Sequence, residues 1–143
     1  MRIRKIDIEV IPSRSMRYPS SGDYFLCGDT LHIRVADMGN MFYEMLVVVH
    51  ELIEWLLVTK KGIRLEEIDR FDIQFEIDRA NGLHKVTDEP GDSSLAPYRK
   101  EHQFATFVEK SMAKLMKLNW KKYDSAVLKA SDGPEDKGWA GGI

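Results

Sequence analysis

The stretch MFYEMLVVVHELIEWLLVTKK, Met41 to Lys61, constrains this chain more than any other. Asn40 in front of it is a suitable N-cap. Lys60 and Lys61 complement the negative end of the helix dipole, and Gly62 can take the left-handed cap. The spacing predicts one long helix. Its most apolar part, Met45 to Val58, is too short to span a bilayer and is interrupted by His50, Glu51 and Glu54. At about 100° per residue, His50 and Glu54 lie one turn apart on one line, with Glu51 about 100° round from His50. Glu44, His50, Glu51 and Glu54 share an arc of about 120°, as the solvated side of an amphipathic helix would. Val47 and Val58 fall inside that arc, which speaks against free solvation. Three acids and a histidine with no Lys or Arg among them also repel one another unless a cation or water relieves them.

His50 and Glu54 can converge on one ion, and His50-Glu51-x-x-Glu54 is similar to the His-Glu-x-x-His helix of zinc peptidases, with a carboxylate in the second ligand place. Glu51, beside the ion rather than on it, is placed to hold a metal-bound water as general base. A catalytic zinc takes about three protein ligands and keeps one position open. His102 is the expected third ligand, because it lies near the start of a helix that can pack against the first. His32 falls in a predicted strand and His84 in a long loop. Glu109, one heptad beyond His102, is an alternative or supporting ligand, and Glu101 is less well aimed. His50, Glu54 and His102 give two imidazoles and a carboxylate, a set that thermolysin-like zinc peptidases also use.

Before the long helix, KIDIEVIP alternates, with Ile6, Ile8 and Val10 on one face of a half-buried strand that Pro12 ends. YFLCGDTLHIRVAD reads as two short strands around a turn at Cys27 to Thr30, where Gly28-Asp29 supplies the positive-φ positions of a tight hairpin. After the helix, RLEEIDRFDIQFEIDRANG fits both periods, and its Glu66-Glu67 start and Asn81-Gly82 stop favour a helix. Leu83 to Ala96 has no periodicity and is long for a loop in a compact domain, as binding loops and lids are. Pro97 opens another helix, on which Phe104, Phe107, Val108, Met112 and Leu115 form the expected apolar stripe. A short helix over WKKYDSAVLK follows. Met41, Met45, Met112 and Met116 read as core filler. The expectation is an α+β fold: a small three-stranded, mostly antiparallel sheet packed on three to four helices. Residues 1–130 form one metal-binding domain, and residues 131–143 a flexible tail.

Composition excludes several function classes. A net charge of −2 with scattered basic residues gives no reason to expect nucleic acid. The single cysteine, Cys27, forms no intrachain disulfide, which fits a reducing compartment, and the cytoplasm is the default location. There is no Gly-x-Ser-x-Gly elbow and no phosphate-binding Gly-rich loop. A di-iron carboxylate protein ranks last, because no Glu-x-x-His pair occurs in the chain.

The order of elements, a short sheet feeding a long motif-bearing helix and then helices that offer another ligand, resembles zincin-type peptidases. By that analogy the strand LHIRVAD is the edge that aligns an extended peptide. HELIEW, KKGI with IDRFD, DEPGD and APYRKEHQFA together, over roughly Val48 to Tyr123, resemble a family of small uncharacterised proteins encoded by phages and prophages. That resemblance implies one neighbourhood for His50, Glu51, Glu54 and His102, with Asp88, Glu89 and Asp92 as loop candidates. It would place the protein in a host cytoplasm. Two functions are expected from this. One is a hydrolase, a peptidase or amidase acting on a peptide or protein, dependent on zinc or another divalent metal. The other is a non-enzymatic phage accessory or assembly protein with a structural or vestigial metal site.

Overall fold

The computed structural model describes residues 1–133, an α+β fold of three strands and four helices. Strands β1 (Lys5–Ile11), β2 (Gly22–Cys27) and β3 (Thr30–Ala36) are followed by helices α1 (Met41–Lys61), α2 (Leu65–Ala80), α3 (Arg99–Leu115) and α4 (Trp120–Ala130). The long helix has the predicted ends. Asn40 Oδ1 accepts the Phe42 and Tyr43 N–H groups at 3.0 and 3.2 Å, and Gly62 caps the other end at φ 84°. The segment that fits both periods is helical. Leu83 to Ala96 carries a single 3-10 turn, Pro90–Asp92.

The sheet is mixed. β2 and β3 form the expected antiparallel hairpin, but β1 pairs in parallel with the other side of β3, giving the order β1-β3-β2. Alternation in β1 sets its faces without naming its neighbour. The ten residues after Ile11 are enough to pass the end of β3 and start β2 on its far side. β3 is therefore central. The expectation that LHIRVAD is an edge is overturned: both its sides are paired, and the edges are β1 and β2.

Leu31, Ile33 and Val35 point from β3 into the core beneath α1, with Leu46, Val47, Val48, Trp55 and Val58. The parallel register puts Ile6, Ile8 and Val10 on that same face, yet they are 42 to 48% exposed because α1 packs on β3 and β2 and leaves β1 bare. Of the expected tail, residues 131–133 lie against the segment after β1, where the Gly133 N–H donates to Ser13 Oγ at 2.9 Å. Its remainder falls outside the described residues. No helix among the described residues is long and apolar enough to cross a membrane.

Candidate metal centre

The polar arc of α1 faces inward, which overturns the solvated-face alternative. Glu44, His50 and Glu54 are buried together with Val47 and Val58. Glu44 serves the fold, its Oε2 accepting the Met38 N–H at 2.8 Å. His50 and Glu54 sit one turn apart and meet His102, near the start of α3, as that helix crosses α1. Three atoms converge. His50 Nε2 is 3.1 Å from Glu54 Oε2 and 3.3 Å from His102 Nδ1, which is 3.0 Å from Glu54 Oε2. An ion held about 2.0 Å from three ligand atoms at tetrahedral angles would set them about 3.3 Å apart. The triangle therefore fits a zinc-sized cation with a small contraction.

Each converging residue is anchored from behind. The His50 Nδ1–H donates to Glu109 Oε1 at 2.7 Å, and the Tyr123 hydroxyl on α4 donates to the other Glu109 oxygen. The His102 Nε2–H donates to Glu89 Oε2 at 3.0 Å, and the Tyr24 hydroxyl on β2 donates to Glu54 Oε1 at 2.8 Å. These contacts leave Nε2 of His50, Nδ1 of His102 and Oε2 of Glu54 to turn inward, the outer-partner arrangement that orients metal ligands. Among the residues that can hold a metal, His50, Glu54 and His102 form one such group.

Electrostatics ask for positive charge at the centre of the triangle. Burial alone would raise the Glu54 carboxyl, but hydrogen bonds from His102 and His50 outweigh it and hold it at about 2. Burial lowers the His102 imidazole, and its carboxylates Glu54 and Glu89 bring it back up to about 10. His50 is raised in the same way by Glu109 and Glu54, against its burial. Protons on the imidazoles answer this demand, and a divalent cation would answer it too.

Glu51 stands beside the triangle. Its side chain passes under β2, where a Cβ on Gly22 would lie 2.6 Å from Glu51 Oε1 and 2.7 Å from Val47 Cγ1, so only glycine fits. Burial, then the charge of Glu54, pushes the Glu51 carboxyl well above the usual carboxylate range. Glu51 and the three converging residues line one cavity of about 490 Å3.

The other candidates spread out. Glu89 reaches His102, Asp92 stays 3.8 Å from the same nitrogen, and Asp88 instead accepts the Lys85 N–H. Glu101 pairs with Lys61 at 3.5 Å, away from the triangle. His32 stacks on Phe25 on the outer face of the sheet, and His84 stacks on Phe75. Sequence reasoning missed Tyr24, Tyr123, Gly22 and Gly91. The alternation of β2 could have placed Tyr24 on the core face, but nothing local ties Tyr123 or the glycines to the site. No family model, no curated protein and no solved structure matches the chain.

Proposed function

We propose that this protein is a hydrolase dependent on zinc or another divalent metal, with a peptide or protein as substrate. The observation that carries the reading is the triangle of His50 Nε2, Glu54 Oε2 and His102 Nδ1, closed to 3.0–3.3 Å and braced on its outer side. A divalent ion held there supplies Lewis acidity, polarising a carbonyl and making water more acidic. The chain's own groups do the rest. Glu51 lies about 100° round the helix from His50, so its carboxylate accepts the proton of the attacking water and passes it to the leaving amine. Burial, then the charge of Glu54, raises the Glu51 carboxyl above the usual carboxylate range, which strengthens it as a proton acceptor.

The cavity favours extended chains. Of the acids along it, Asp23 and Asp69 are paired with Arg17 and Glu76 with Arg79, and Asp72 accepts the hydroxyls of Tyr18 and Tyr98. The segment from Tyr18 to Tyr24 borders it as well. The Ala36 N–H donates to Ser21 O at 2.9 Å, so antiparallel alternation turns the backbone groups of Gly22, Tyr24 and Leu26 away from β3. Ser20 engages those of Gly22, leaving Tyr24 and Leu26 to pair with a substrate strand. Peptide alignment thus moves from β3 to β2.

Elemental analysis of protein purified without chelators tests the reading. It expects close to one zinc or other divalent ion per chain, lost in His102→Ala. It also expects cleavage in a quenched-fluorescence peptide library that Glu51→Gln abolishes while keeping the ion. Metal-free protein would sink the proposal, and a loaded protein that cleaves nothing would leave the accessory role in its place.

A further inference from the structure

The helix that carries the site has a second apolar side that the described residues leave largely uncovered. Phe42, Met45, Val49, Leu52 and Leu56 recur at spacings of three and four along α1, the heptad seam of a helix that pairs with another helix. Their mean direction is roughly 120° from His50 and 160° from Glu54, so the seam faces away from the metal centre. Met41, Phe42, Met45 and Leu56 are 39 to 62% exposed, and Val49 and Leu52 are half-buried between them. Beside the seam, Ile6, Ile8 and Val10 of β1 form a bare apolar floor on the face that α1 covers elsewhere. With about half of each of seven large residues open, the patch is on the order of 600 Å2, at the top of what monomers expose. Together with a polar rim it approaches the roughly 800 Å2 that each partner buries in a stable dimer.

We propose that this face is the interface of a homodimer, in which two copies pack their α1 helices antiparallel. A packed helix lies about 8–10 Å from its neighbour, and strands lie about 4.8 Å apart. The partner's α1 therefore settles over Ile6, Ile8 and Val10, and each copy covers the other's bare floor in an isologous contact. Charge sets the direction. Asp37 is exposed just before α1, and Lys60 and Lys61 are exposed at its end. A parallel pair would bring the lysines of both copies together. The antiparallel pair, centred on Val49, sets Asp37 of one copy near Lys60 of the other and opposes the two helix dipoles. The seam is independent of any ion.

Analytical ultracentrifugation of the full chain tests this. The wild type is expected to sediment as a dimer at micromolar concentration. Met45→Glu and Leu56→Glu should raise the dissociation constant at least about tenfold with unchanged far-ultraviolet circular dichroism, since each puts a charge into the seam. In a Cys27→Ser background, Phe42→Cys and Leu56→Cys chains mixed in equal amounts should form the mixed disulfide under mild oxidation. A monomeric wild type overturns the proposal, as do charged variants that dimerise like the wild type. Disulfides joining only like variants overturn the antiparallel arrangement.

Discussion

A single methyl group at Gly91 would disturb the proposed metal centre without touching the sequence position of any residue that would hold the ion. A Cβ there would lie 2.3 to 2.6 Å from three atoms of the His102 ring, because the loop turn Pro90–Asp92 rests on the imidazole face. The ring cannot yield toward α1, since His50 and Glu54 already stand 3.3 and 3.0 Å from its Nδ1. Gly91→Ala is therefore expected to tilt the ring out of the triangle and weaken ion binding by about 10- to 100-fold, the range found when outer supports of metal ligands are lost. Competition with a chromogenic chelator reads this, and an unchanged affinity would show that the loop gives way instead of the ring. The other Cβ-free contact, Gly22 over Glu51, works differently. Alanine there would press on Glu51 and leave the three converging atoms alone, so under the proposed function it should reduce cleavage while keeping the ion.

Among the elements, α1 is the one whose bounds and caps could be read almost completely in advance. Its caps, its length and the one-turn offset of His50 and Glu54 are local, and local geometry is what a sequence encodes most directly. Asn40→Ala should cost about 1 kcal/mol of unfolding free energy in urea titrations without altering ion affinity, because His50 lies well inside the helix and away from its frayed end. α3 was read with the wrong apolar stripe for three of its five residues, since Val108 and Met112 are half-buried and Met112 packs against the core. Phe104, Phe107, Val108, Met112 and Leu115 look like the buried stripe, yet Phe104, Phe107 and Leu115 are 50, 64 and 84% exposed. The buried side is Glu101, His102, Ala105, Glu109 and Ala113, where two alanines let α3 approach α1 and two polar residues reach the site. Binary patterning assumes that burial follows hydrophobicity, and a helix that buries Glu101, His102 and Glu109 breaks the assumption. Met41 and Met45, read as core filler, are exposed for a related reason: α1 has more apolar circumference than the sheet and α3 can cover; Met116, read the same way, is exposed at the C-cap of α3. His102 was picked among four histidines for its place on a helix that can pack against α1, whereas the contacts of Glu89 and Tyr123 depend on folds of chain that no local pattern records.

At the scale of the molecule, the centre joins parts of the chain that are far apart in sequence. His50 and His102 are separated by 52 residues, and Tyr123 ties α4 to the same cluster through Glu109. An ion held there acts as a cross-link that exists only in the folded state. Free ion at a hundred times its dissociation constant should add about 2.7 kcal/mol of stability. Thermal unfolding with and without a chelator is expected to show the difference as a lower melting temperature for the stripped protein. Identical melting curves would mean that nothing binds the native state.

The position of β1 bears on the order in which such a molecule assembles. The hairpin of β2 and β3 closes through the two-residue turn Gly28-Asp29, so it can form within microseconds from its own segment. β1 pairs with β3 across a register of 25 residues, Lys5 against Thr30, and it has no local partner at all. Closing that longer loop costs entropy that only a preformed hairpin can return. The first of the three strands in the sequence is therefore the last to find its place. Until α1 has settled on β2 and β3, the segment that carries β1 has no strand to hold it.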